Sequence, residues 1–177
     1  MFIIQGQNHS IKMKKLLGIV VLGLLLSGNA YAQNLKFTKI INLDKPWGSS
    51  FINIDELIIT EKKGKIKIVN INSGEVSEVD HNLNFLKVGQ GGLLDILHKD
   101  NFLWISYSED RGNWKTSTSI AKAKLDKKEL NFKNIFQAEP PIDSGYHFGS
   151  RLAIKDNYLF ASAGERGQGM IAQDPTK

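Results

Sequence analysis

The chain has 177 residues, with 23 Lys and Arg against 18 Asp and Glu, 16 glycines, 4 prolines and no cysteine. At 41% hydrophobic and 23% charged it is neither a disordered tail nor a collagen, and it has enough apolar content to bury a core. One domain is expected at this length. The lack of cysteine excludes a disulfide scaffold, a thiolate metal site and a cysteine nucleophile.

The first segment reads as an export signal. Lys14 and Lys15 precede Leu16 to Leu26, eleven residues without a polar member, followed by Ser27-Gly28-Asn29 and the small-residue pattern Ala30-Tyr31-Ala32. Basic, apolar, then small-x-small is the order of a secretory signal peptide. The apolar run falls short of the about 20 residues a spanning helix needs. Cleavage is expected after Ala32, with Met13 as an alternative start and a non-cleaved anchor as the competing reading. Residues 1–32 carry three lysines and no acid, so the remaining 145 residues hold 20 basic and 18 acidic side chains, a net charge of +2. No polybasic face survives, so nucleic acid is not an expected partner and no stable membrane span remains. The expected location is periplasmic or secreted, where a cysteine-free chain depends on packing for stability.

From Gln33 onward the pattern is that of short strands between turns, an all-β chain. Leu57-Ile58-Ile59-Thr60 is a β-branched run. Lys65-Ile66-Lys67-Ile68-Val69 alternates after the Lys63-Gly64 turn, and Asn72-Ser73-Gly74 leads into Glu75 to Val79. Leu103 to Tyr107 and Tyr158 to Ala161 repeat the strong central strand, preceded by Gly92 to Ile96 and Phe148 to Leu152 as Gly48 to Phe51 precedes the first. Ile58 to Trp104 is 46 residues and Trp104 to Phe160 is 56, with Thr118 to Phe136 filling the longer interval as two outer strands plus an insertion. A strand, a turn and a stronger strand at such spacing is the signature of propeller blades. About two and a half blades fit, whereas a closed propeller typically has 4–8. The chain is therefore expected to be the N-terminal part of a larger propeller.

Among the candidate chemical groups, His147 leads. It lies in Gly145-Tyr146-His147-Phe148-Gly149-Ser150-Arg151, just ahead of an innermost strand, where an imidazole can act as a general base. A hydrogen-bonded structural imidazole is the alternative. Val88-Gly89-Gln90-Gly91-Gly92-Leu93-Leu94 holds the same frame position one blade earlier. Its glycines permit close approach of a ligand, and Gln90 offers donor and acceptor; a tight connector is the alternative. It is not a phosphate loop, because no Gly-Lys-Ser/Thr follows. His81 and His98 are expected in solvent. Of Trp47, Trp104 and Trp114, one or two are expected in the core rather than on a sugar. No metal constellation or calcium loop is visible.

Pro46-Trp47-Gly48 with Leu57 to Lys62, then Gly89-Gln90-Gly91-Gly92-Leu93-Leu94-Asp95, then His147-Phe148-Gly149-Ser150-Arg151-Leu152 and Ala172-Gln173-Asp174, taken in order, resemble the soluble PQQ-dependent aldose sugar dehydrogenases, the glucose/sorbosone dehydrogenase family. The resemblance runs from Lys45 to Asp174. It implies that 33–177 is a partial domain, about two and a half blades of a six-bladed propeller, and that the activity is oxidation of an aldose at its anomeric carbon, giving a lactone. His147 would be the base and Gln90 would lie beside PQQ. Calcium would support the cofactor, with most ligands for both outside this chain, and an external acceptor would take the electrons. The pattern departs at Tyr146, where some members have an acid, and at Lys99, where the family has proline. A non-catalytic carbohydrate- or protein-binding propeller and an inactive gene remnant are the competing readings, and oligomeric state is not legible.

Overall fold

The computed structural model describes residues 37–170 together with Asp174 and Thr176. The expected signal segment 1–32 and Ala172-Gln173 lie outside these residues. No described helix is long and apolar enough to cross a membrane.

The chain from Lys39 onward is built of strands that, one short pair apart, run antiparallel. β1 (Pro46–Phe51), β2 (Glu56–Glu61), β3 (Lys65–Asn70) and β4 (Val76–His81) form a meander. β5 (Leu93–Lys99), β6 (Phe102–Asp110), β7 (Thr116–Lys124) and β9 (Lys133–Gln137) form a second four-stranded sheet, and β10 (Gly149–Lys155) pairs with β11 (Tyr158–Ala163). These are two blades and the inner hairpin of a third, as the repeat predicts. Between β7 and β9 the chain makes the short strand β8 (Glu129–Leu130), which pairs in parallel with β4 of the first blade. Asn82 fixes this link: its Oδ1 accepts the Phe132 N–H at 2.8 Å and its Nδ2 donates to the Phe132 carbonyl at 3.1 Å. The sequence insertion is thus a strap between blades.

The core lies between the two complete blades. Ile58, Ile66, Ile68 and Val79 of the first pack with Leu93, Ile96, Leu103, Ile105 and Ala121 of the second, and Leu130 and Phe132 close the edge. Period-2 alternation explains the choice: Ile66 and Ile68 point inward while Lys65 and Lys67 point out. No tryptophan joins the core. Trp47 and Trp114 are exposed, and Trp104 lies partly exposed beneath the Lys122 ammonium. Branched aliphatic side chains fill the narrow space between twisted sheets, so the expectation of a core tryptophan is corrected. His81 and His98 are corrected as well. His81 Nε2 contacts the Gly64 carbonyl at 2.8 Å, and its ring lies 6.1 Å from that of Phe85. His98 Nδ1 contacts the Phe51 carbonyl at 3.2 Å, and its Nε2 is buried.

One contact repeats from blade to blade. Each innermost strand carries a bulge, at Pro46/Ser49, Leu93/Ile96 and Gly149/Leu152. A bulge frees a backbone N–H from the ladder, and each time a hydroxyl of the neighbouring strand takes it. Thr60 Oγ1 accepts from Gly48 N at 3.0 Å, Ser106 Oγ from Asp95 N at 3.0 Å, and Ser162 Oγ from Arg151 N at 3.0 Å. The first two hydroxyls pass their proton to the next blade: Thr60 to the Leu94 carbonyl at 2.5 Å and Ser106 to the Ser150 carbonyl at 2.6 Å. Asp95 adds a carboxylate to the second junction, accepting from Leu152 N at 2.8 Å and from Arg151 at 3.2 Å.

Candidate active site

Two loops that lead into adjacent innermost strands meet back to back. In the 88–92 turn, Gly91 N donates to the Val88 carbonyl and Gln90 N to the Gly145 carbonyl, each at 2.7 Å. Gly89 has φ 53°, and a Cβ there would lie 2.4 Å from the Gly145 carbonyl oxygen, so a side chain fits neither the conformation nor the space. Lys62, at the end of β2, donates to the Gly89 carbonyl at 2.5 Å. The equivalent frame positions of the sequence are therefore neighbours in space.

Gln90 and His147 meet directly. Gln90 Oε1 accepts the His147 backbone N–H at 2.9 Å. This contact uses the amide oxygen and leaves the Gln90 NH₂ to face other groups. His147 itself adopts φ 48°, a left-handed conformation that non-glycine residues take at a cost. Gly164 makes room for it, since a Cβ at that position would lie 1.9 Å from the His147 carbonyl oxygen. The imidazole is half-exposed, and the exposed Tyr146 ring stands edge-on to it at 6.2 Å.

Sequence reasoning missed Glu165, which follows β11. Its carboxylate lies at 2.5 and 2.8 Å from His147 Nδ1. The hydrogen bond to His147 is the main cause that holds the Glu165 carboxyl below its ordinary value, with the Gly167 backbone assisting. A carboxylate only accepts, so Nδ1 carries the hydrogen and the neutral ring keeps its lone pair on Nε2. That arrangement can take a proton from a hydroxyl placed at Nε2. The available signal was an acidic residue in the Gly164-Glu165-Arg166-Gly167 turn, at the far end of the hairpin that His147 precedes.

A cavity of about 280 Å³ borders Glu165 and Arg166 on the side of Ser117, Thr118 and Pro140. Neither His147 nor Gln90 lines it, so it is separate from the imidazole face. Among the described residues no three His, Cys, Asp or Glu side chains cluster to hold a metal ion.

The family model for glucose/sorbosone dehydrogenases matches residues 43–177. This chain belongs to that family. Aldose sugar dehydrogenase YliI of Escherichia coli (strain K12) is 35% identical over 79 residues, which are 42% of this chain and 21% of that protein. The fold is similar to a crystal structure of glucose dehydrogenase, with TM-score 0.68, 30% identity, and coverage of 74% of this chain and 41% of the other. The apo-form of the soluble aldose sugar dehydrogenase from Escherichia coli gives TM-score 0.69 at 30% identity, over 75% of this chain and 41% of that one. A PQQ-bound aldose sugar dehydrogenase from Streptomyces coelicolor shares the fold at 22% identity and TM-score 0.66, over 75% of this chain and 42% of the other. The chain thus spans less than half the length of these relatives.

Proposed function

We propose that this chain supplies the proton-accepting half of the active site of an exported, PQQ-dependent aldose dehydrogenase, which oxidises the anomeric carbon of a sugar to a lactone. The observation that carries the reading is the Glu165–His147–Gln90 constellation, in which one carboxylate orients the ring and one amide fixes its backbone. His147 Nε2 accepts the proton of the anomeric hydroxyl. Glu165 holds the Nδ1–H tautomer and stabilises the imidazolium that results. PQQ, when bound, supplies the acceptor for the hydride leaving the anomeric carbon. An external acceptor then takes the electrons. The location proposed is the periplasm or outside the cell, as the leader at 1–32 implies.

The residues beside His147 suit one side of a polyanionic quinone. The Gln90 amide donates hydrogen bonds, and the Lys62 ammonium at the Gly89 carbonyl adds positive charge. Calcium is different. It takes 6–8 oxygen ligands, and no such carboxylate cluster exists among the described residues. In this reading the base comes from the described part of the chain, and calcium would draw its ligands from elsewhere in the protein.

The test is PQQ-dependent dye reduction by the protein purified from its native source. Aldoses should support it, and their 1-O-methyl glycosides, which lack the anomeric O–H, should not. Equal rates with both would sink the assignment. A carbohydrate-binding propeller without catalysis would bind both and reduce no dye.

A further inference from the structure

Arg166 makes an unusual set of contacts for an arginine that has no carboxylate against it among the described residues. Its Nε donates to the Tyr146 carbonyl at 3.0 Å and Nη1 to the Thr116 carbonyl at 3.2 Å. Nη2 donates to Thr116 Oγ1 at 2.6 Å and to the Ser144 carbonyl at 2.5 Å. The guanidinium carbon Cζ lies over the buried Phe148 ring, 3.8 Å from its centre. In return, the Arg166 carbonyl accepts from Ser144 Oγ at 2.6 Å, and that same oxygen accepts the Tyr146 N–H at 3.3 Å. The side chain therefore grips the residue before His147 and the residue after it, and ties both to the start of β7.

Such a grip has a specific use here. His147 sits at positive φ, a conformation that persists only where the surroundings over-determine it. Glu165, which orients the ring, is the chain neighbour of Arg166. One rigid fork thus fixes the backbone that carries the base and the backbone that carries its carboxylate. Arginine suits the task because its planar guanidinium stacks on a ring and bonds several acceptors at once, which an ammonium cannot do.

We propose that Arg166 is a positioning residue for His147, holding the 144–148 loop so that Nδ1 stays on Glu165 and Nε2 faces the substrate. As a statement about catalysis this rests on the reading of His147 as the base. As a statement about the imidazole it can be tested without turnover.

The experiment is ¹⁵N NMR of the imidazole nitrogens in the full chain, whose 4 histidines allow His147 to be assigned by subtraction with His147→Gln. The wild type should show His147 as the Nδ1–H tautomer. Arg166→Gln should move the population at least about threefold toward Nε2–H, because a ring released from its partner returns to the solution preference. Arg166→Lys, which keeps the charge and the stem, should restore the wild-type state only in part and serves should the Gln variant not fold. Arg111→Gln, which breaks a comparable arginine contact with Glu139, should leave the His147 signals unchanged. In the native-source enzyme, Arg166→Gln should lower kcat by about 10²-fold, the effect of a small misplacement, with KM nearly constant. Unchanged tautomer populations in folded Arg166 variants would overturn the inference even if the enzyme is a PQQ dehydrogenase. A wild type without PQQ-dependent activity would overturn the functional reading, while the NMR result would still decide the role of Arg166.

Discussion

Replacing Ser106 with alanine should cost far more than the loss of one oxygen atom suggests. The hydroxyl is fully buried, accepts the bulge N–H of Asp95 at 3.0 Å and donates to the Ser150 carbonyl of the third blade at 2.6 Å. Asp95 and Ser150 are themselves buried, and the bulge denies each a ladder partner at this point. Ser106→Ala therefore orphans one buried donor and one buried acceptor. Each orphan costs about 1–3 kcal/mol, so the expected loss is about 2–6 kcal/mol. Urea unfolding of the full chain measures it, with Ser77→Ala on exposed β4 as the control; surface substitutions of that kind fall within about 0.5 kcal/mol. The m-value should not change. If Ser106→Ala is no worse than Ser77→Ala, the repeated hydroxyl is not a junction between blades. Thr60→Val, at the same position one blade earlier, should behave in the same way.

Other outcomes follow from the same contacts. Glu109→Ala should destabilise by about 3 kcal/mol in the same unfolding assay, since this buried carboxylate accepts from Ser119 at 2.6 Å, Asn134 at 2.8 Å and Gln137 at 2.7 Å. Burial, aided by the Glu109 charge, pushes the Tyr107 hydroxyl up to about 12 from 10.0. A raised folded value means that its contribution is complete below pH 10 and lost as pH rises toward 12. Absorbance titration should show its phenolate appearing only above the others. Glu165 has the opposite sign. Its depressed value keeps the contact with His147 charged above the ordinary 4.5 and loses it as pH falls below that, which ¹³C NMR of the carboxyl can follow. Residues 33–177 expressed alone should show no saturable PQQ-dependent dye reduction, because they match only about 41% of the length of the glucose and aldose sugar dehydrogenases they resemble.

Much of this was legible in the sequence because strand period and turn chemistry are local. Alternation at Lys65 to Val69 and the β-branched run at Leu57 to Thr60 give β3 and β2 directly. The 46- and 56-residue spacings place Gln90 and His147 at one frame position in successive blades, and the fold makes them neighbours. What was not legible depends on long-range pairing. β8 crosses to the first blade through Asn82, a partner 50 residues away, and nothing in its two residues announces that. Glu165 reaches His147 only because the β10–β11 hairpin returns the chain, and an acid in a glycine-rich turn ordinarily reads as solvated. The histidines His81 and His98 looked exposed because their neighbours are polar, yet both lie against carbonyls of other strands.

The central claim is that His147 is the base for aldose oxidation. Its most direct test is the rate of PQQ-dependent aldose oxidation by the native-source protein and by its His147→Ala variant, with PQQ binding measured on both. A fall in kcat of about 10²–10⁴-fold, the usual contribution of a positioned general base, with PQQ still bound, is the predicted result. An undiminished rate in the alanine variant would contradict the account.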